Sequence, residues 1–323
     1  MLWLFLFPLT LFAYPGEPLK RTGDEIMVAG QLFHTETPVI LWTDPGGYDG
    51  YRVERRFVSY DHSSWETSQK ENKELKTPNR FGLRNDGLTP IQQEAVRGGG
   101  WDLNTLKKSI DQLVLHYDTC GLSQLCFQTL HDKRGLSIHF MIDLDGTIYQ
   151  TLDVKERAWH ASKANGRSIG IEIAHIGAYA ANDLTTLNRW YKKDPHDRVT
   201  LTIPPEVLHT GLRTTQFKPI PARNQLIKGD IHNKTYFMYD FTQEQYNALI
   251  KLSATLCNIF PQIKCTYPRN HQGYLLTTAL TPYQFTHFKG ILGHYHIQTN
   301  KIDPGPAFQW DTLLNGIKKH LRS

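Results

Sequence analysis

The sequence predicts an α/β (α+β) domain built on a mixed central β-sheet flanked by helices. Residues 113–117, LVLHY, form a continuous apolar run of the kind a buried central strand shows. Residues 168–175, SIGIEIAH, alternate as a strand does. Helical spacing and helix-start signals lie between and after such segments, and strands interleaved with helices give a sheet covered by helices.

Residues 1–13, MLWLFLFPLTLFA, are apolar but too short to span a bilayer. Leu11-Phe12-Ala13 loosely fits a small-residue cleavage site, so this run is expected to be a signal peptide, although it lacks Lys and Arg. The protein is then expected to be exported, to a periplasm or beyond the cell. Residues 14–102 read as an N-terminal extension, rich in Gly, Pro and aromatics, with strand-like pieces at 38–42 and 51–59 and a polar stretch at 63–79. No chemistry attaches to this extension, and a β-rich flap over one face of the main domain is the expectation.

The main domain is expected over 103–323. Helical spacing at 103–112 leads into the strand 113–117, and a helix is expected at 123–133. Strands at 137–143 and 147–152 flank Asp143-Leu144-Asp145-Gly146, a hairpin signal. Residues 181–240 are an irregular, Pro-containing insertion with no clean period. Thr242-Gln243-Glu244-Gln245 is a capping box opening a helix to about residue 260. A last helix follows Pro306, with Trp310, Leu313, Leu314 and Ile317 on its inner face.

The 323 residues are 40% hydrophobic and 21% charged, the balance of an ordinary globular protein. Lys plus Arg number 36 against 31 Asp plus Glu, a mild excess that suits a polyanionic partner without specifying one. No basic run is long enough for a nucleic-acid arm, so nucleic acid is not expected as a partner. The four cysteines fall in two close pairs, Cys120 with Cys126 and Cys257 with Cys265. Two local disulfides fit an oxidising compartment; four buried free thiols are the alternative.

The candidate chemistry gathers around residues 291–310, ILGHYHIQTNKIDPGPAFQW. His294 and Asp303 offer N and O ligands of the kind zinc accepts, with Lys301 two residues before the carboxylate. The plainer reading is a turn before the final helix, with a surface Lys and a capping Asp. His116 ends the apolar strand, where open sheets place ligands, although a lone His at a strand end is more often a structural hydrogen-bonding residue. Glu172 shares a strand face with Ser168, Gly170 and Ala174. A carboxylate so embedded is costly to bury unpaired, so it needs a cation, water or a salt bridge. Trp159 and His160 precede that strand, and His139 points opposite Ile138 and Phe140. On spacing alone either histidine can be a ligand, and no HExxH helix or CxxC pair narrows the set.

Six segments taken together go further. LVLHYDT (113–119), SIHFMIDLDGTIYQ (137–150), RAWHA (157–161), SIGIEI (168–173), FTQEQYNAL (241–249) and GHYHIQTNKIDPGPAFQW (293–310) occur in one order. In that order they resemble the zinc-dependent N-acetylmuramoyl-L-alanine amidases of the type-2 group, which includes the peptidoglycan recognition proteins and phage lysozyme-type amidases. The likeness covers roughly 103–321 apart from the insertion. It implies one zinc ion held by His116, His294 and Asp303, where some relatives carry Cys in the third place. It implies Glu172 as the catalytic carboxylate and Lys301 as the cation near the substrate carbonyl. His160 matches a residue near the substrate, and Trp159 and His139 are taken with it as substrate-binding candidates. His296 stands where relatives usually have Asp, in a segment one residue shorter than theirs, which leaves open whether it affects metal ligation. The spacing of Cys120 and Cys126 resembles a disulfide of the animal recognition proteins. The implied reaction cuts the amide joining the lactyl group of N-acetylmuramic acid to L-alanine, in peptidoglycan or muropeptides. Two alternatives are a non-catalytic peptidoglycan-binding protein on the same fold and a zinc amidohydrolase of other N-acyl amino acids.

Overall fold

The protein is described by a computed structural model over residues 14–321, so the expected signal peptide at 1–13 lies outside the described residues. Six strands form the central sheet: β1 (Val39–Leu41), β2 (Gln112–Tyr117), β3 (Phe140–Ile142), β4 (Ile148–Gln150), β5 (Ser168–Ile173) and β6 (Gly290–Gly293). Their order is β6-β2-β5-β3-β4-β1. Only the β3/β4 hairpin is antiparallel, at the expected turn; every other neighbour pair is parallel. The sheet is therefore mixed, as expected.

Every residue of β2 and β5 is buried, which explains their apolar content. Alternation sends Leu113, Leu115, Ile169, Ile171 and Ile173 to one face. There they pack with helix α1 (Gln243–Ile259) and helix α2 (Trp310–His320), whose Leu252, Leu256, Leu313 and Ile317 are fully buried. Each such side chain contributes about 1.5–3 kcal/mol by leaving water. Helix α1 opens with the capping box expected at Thr242 and Gln245, and α2 buries the four residues expected on its inner face. The opposite sheet face carries Val114, His116, Gly170 and Glu172. That second face is packed by smaller clusters around Val114 and Leu292 and around Met141 and Tyr149, and the site opens at the carboxyl ends of β2 and β5.

The segment 14–102 is tied into this frame. Strand β1 extends the sheet edge by parallel pairing of Val39 with Ile148, so this part of it is sheet and not a cover. A second piece, Phe81–Leu83, pairs antiparallel with Glu156–Ala158. Residues 51–59, expected as a strand, are turns. The insertion is more regular than its sequence suggests, with helix Thr185–Trp190 and hairpins Tyr191–Lys193/Val199–Leu201 and Ile227–Ile231/Lys234–Met238. Leu187, Trp190, Val199 and Leu201 form a small core with Leu122 and Ile176. Strands of three to five residues are too short to display a period.

All four cysteines are free thiols in the structure, so neither expected disulfide is formed in it. Cys120 and Cys126 nonetheless line the same cavity. Spacing brings thiols together; the redox compartment decides whether they join. Among the described residues no helix is long and apolar enough to cross a membrane.

Candidate functional site

Parallel register sets His116 of β2 directly beside Glu172 of β5. Strand β6 runs parallel on the other side of β2, with Gly293 opposite Leu115, and His294 follows at once in a short helical turn. Both imidazoles therefore leave the carboxyl ends of neighbouring strands, where parallel sheets present ligands. The chain returns through residues 299–303, and the Asp303 carbonyl accepts from the Tyr295 N–H at 3.2 Å. Gly293 makes that return possible, because a Cβ there would stand 2.6 Å from Pro304 Cδ.

Three donor atoms converge. His116 Nδ1 and His294 Nδ1 are 3.0 Å apart, and Asp303 Oδ2 is 2.9 Å from the first and 3.0 Å from the second. All three residues are buried. The outer ring nitrogens are already engaged. His294 Nε2 meets Gln298 Oε1 at 2.8 Å, and since that oxygen only accepts, the proton sits on Nε2. His116 Nε2 lies 3.0 Å from His160 Nδ1, His160 Nε2 3.3 Å from Ser168 Oγ, and Ser168 Oγ donates to the Ala164 carbonyl at 2.7 Å. Passing protons outward along that chain leaves both Nδ1 lone pairs facing each other and a carboxylate. Such a cluster repels itself unless a cation sits among the three. Ligand atoms around a tetrahedral zinc at about 2.0–2.1 Å stand about 3.3 Å apart. The donor set and its spacing fit zinc, and Gln298 and His160 supply the outer contacts that hold ligand histidines.

Electrostatics agree with this arrangement. Burial and the neighbouring His294 push the His116 imidazole down to about 4, so it is neutral at pH 7. Burial raises the Asp303 carboxyl, but the two imidazoles more than reverse that and hold it low. Glu172 is the opposite case. Burial, then the nearby Asp303, drives it well above the usual carboxylate range, and Lys301 and Arg134 pull only part of the way back. Its Oε2 is buried with no hydrogen-bond partner among the described residues. Glu172 lines the same cavity as His116, Trp159, His160, Lys301 and Arg134.

His139 is not brought there. It is fully buried, its Nδ1 accepts from the Gly170 N–H at 3.1 Å and its Nε2 meets the Glu156 carbonyl at 2.9 Å, which leaves nothing for a substrate. His296 is likewise committed, accepting from the Gly293 N–H at 2.9 Å and reaching the Leu276 carbonyl at 2.7 Å, and it stands outside the donor cluster. Gln298 escaped the sequence reading. Its only signal is a position four residues beyond His294, which one helical turn brings back to the ring.

No curated protein sequence matches this chain. The family model Amidase_2, described as N-acetylmuramoyl-L-alanine amidase, matches residues 106–204. The match takes in His116, His160 and Glu172; His294, Lys301 and Asp303 lie beyond it and join the site through the fold. Solved structures similar to the chain include a selenomethionine derivative of AmpD, 16% identical with a TM-score of 0.33, covering 75% of this chain and 90% of that one. AmiD from E. coli, in complex with anhydro-N-acetylmuramic acid-L-Ala-D-gamma-Glu-L-Lys, is 20% identical with a TM-score of 0.35, over 64% of this chain and 57% of that one. AmpDh3 from Pseudomonas aeruginosa, in complex with an anhydromuramic pentapeptide, is 19% identical with a TM-score of 0.35, over 64% and 59%. The chain thus spans less than two thirds of the latter two.

Within the matched residues, Gly170 is what lets His160 reach His116. A Cβ at this position would lie 2.6 Å from His160 Nδ1 and 2.4 Å from Ile138 Cδ1. Gly170→Ala is expected to push the His160 ring off its contact with His116. The measurable results are a lower melting temperature and zinc affinity reduced roughly 10-fold or more, as for a lost outer-shell partner. Affinity equal to the parent's would show that the ring contact is dispensable.

Proposed function

We propose that this chain is a zinc amidase that hydrolyses the bond between N-acetylmuramic acid and L-alanine in peptidoglycan or muropeptides. The observation that carries this reading is the triangle of His116 Nδ1, His294 Nδ1 and Asp303 Oδ2, next to a buried Glu172 oxygen without a partner. Zinc held by three protein ligands supplies Lewis acidity, which polarises a carbonyl and acidifies water at neutral pH. Glu172 then takes the proton of the attacking water and delivers it to the leaving L-alanine nitrogen. Lys301 stabilises the oxyanion of the tetrahedral stage, a contribution of about 3–4 kcal/mol for a well-placed donor. Trp159 lies along the same cavity as a surface for the substrate, and His160 serves His116 as well as the cavity wall.

Incubation of purified sacculi with the protein, followed by mass analysis of the soluble products, tests this. Stem peptides with a free L-alanine amino terminus are the expected product, and chelation should stop their release. Binding without release would make the chain a recognition module. Turnover of N-acyl amino acids but not of sacculi would make it another amidohydrolase.

The same reading places the protein outside the cytoplasm, with residues 1–13 as the signal peptide, and there the pairs Cys120 with Cys126 and Cys257 with Cys265 oxidise. Thiol titration of denatured, unreduced protein recovered from an oxidising compartment should then find almost no free thiol. Four titratable thiols would set aside both the pairing and the export.

A further inference from the structure

Arg84 is fully buried and comes from the segment 14–102, to which no chemistry attached in the sequence. Its guanidinium bonds four backbone carbonyls: Nε to Val154 at 3.0 Å, Nη1 to Asn165 at 3.2 Å and Gly166 at 3.0 Å, and Nη2 to Ser168 at 2.8 Å; Nη2 also stands 3.0 Å from Nε2 of the buried, neutral His139. Among the described residues no carboxylate hydrogen-bonds or ion-pairs with it. A buried cation bonded only to neutral groups is costly, and burial pushes this one down to about 9. The arrangement needs something to repay it.

What Arg84 gathers is the turn that carries His160. Three of its four carbonyls belong to residues 165–168. In the same turn the Asn165 Oδ1 accepts from the His160 N–H at 3.2 Å and from the Ala161 N–H at 2.7 Å. Ser168 holds the far side of the ring through its hydroxyl. The pairing of Phe81–Leu83 with Glu156–Ala158 delivers Arg84 to this spot, with Gly82 opposite Arg157. A planar fork reaching carbonyls in three directions is a task for Arg and not for the point charge of Lys.

We propose that Arg84 is a positioning residue of the metal centre: it closes the 161–168 turn and so holds His160 against the outer nitrogen of His116. This inference rests on the zinc reading of the site. The segment 14–102 thereby becomes part of the catalytic apparatus, although it touches neither ligand nor cavity at this point.

A double-mutant cycle on zinc affinity, measured by competition with a chelator in folded protein, tests it. His160→Ala should weaken zinc roughly 10- to 100-fold, as loss of an outer-shell partner does. Arg84→Met should weaken it at least about 10-fold, and the double variant should bind no more weakly than His160→Ala alone, since both remove the same support. Parent affinity in Arg84→Met, no effect of His160→Ala, or full additivity would each overturn the proposal. Should Arg84→Met not fold, Arg84→Lys takes its place in the cycle, with the same non-additivity expected and a smaller single effect. If the parent protein itself takes up no zinc, the functional reading fails, an outcome distinct from an additive cycle.

Discussion

Glu172→Ala lowers turnover by roughly 100- to 10,000-fold while zinc remains bound, the range expected when a positioned general base is lost. The side chain is not one of the three converging donors, so the metal has no reason to leave. It sits beside His116 in register, with a buried oxygen that bonds nothing else among the described residues. Glu172→Gln keeps the shape but cannot accept the proton, and is expected to be impaired to the same degree. Parallel turnover and metal measurements decide the matter: parent turnover in both variants with zinc intact would make Glu172 structural. The same residue predicts a stability effect in zinc-free protein. Its folded pKa lies above the ordinary value of 4.5, so its stabilising contribution is full below that pH and is lost as pH rises toward the folded value. Denaturant titrations across neutral pH should show that decline in the parent and a weaker one in Glu172→Gln.

His116→Ala or Asp303→Ala is expected to empty the site of zinc and abolish hydrolysis. Two ligands do not retain zinc as three do, and each of these atoms lies within 3.0 Å of the other two. Metal analysis of the purified variants reads this directly. Zinc content unchanged in either variant would remove that residue from the set. His296→Ala should lose stability, having given up two buried hydrogen bonds, yet keep its zinc.

His116 and Glu172 were legible because they lie on strongly patterned strands, whereas His294, Lys301 and Asp303, in a short turn and irregular chain, were singled out as a set only by resemblance. The alternation of SIGIEI put Glu172 on the face away from the isoleucines, and the apolar run before His116 marked a strand end. Both placements follow from backbone geometry alone. What escaped depends on contacts between distant parts of the chain. Nothing near Arg84 announces that its partners are at 154 and 165–168. His139 looked available because strand alternation separates it from Ile138 and Phe140, but alternation cannot tell a cavity from a buried interior where Gly170 and Glu156 meet both ring nitrogens. Strand β1 carried no period, being three residues long, and its partner Ile148 is remote in sequence.

The two outer strands of the sheet come from opposite ends of the described chain, β1 at residues 39–41 and β6 at residues 290–293. His294 follows β6 and is separated from His116 by 178 residues. At a synthesis rate of about 5–20 residues per second, His116 is made roughly ten to forty seconds before its partner exists. Through that interval β2 has one flank uncovered and only one of the three converging donors exists. A nascent or truncated product ending before β6 lacks His294 and Asp303 and cannot assemble the proposed centre. The order of synthesis itself keeps the donors apart until the last strand of the sheet is made.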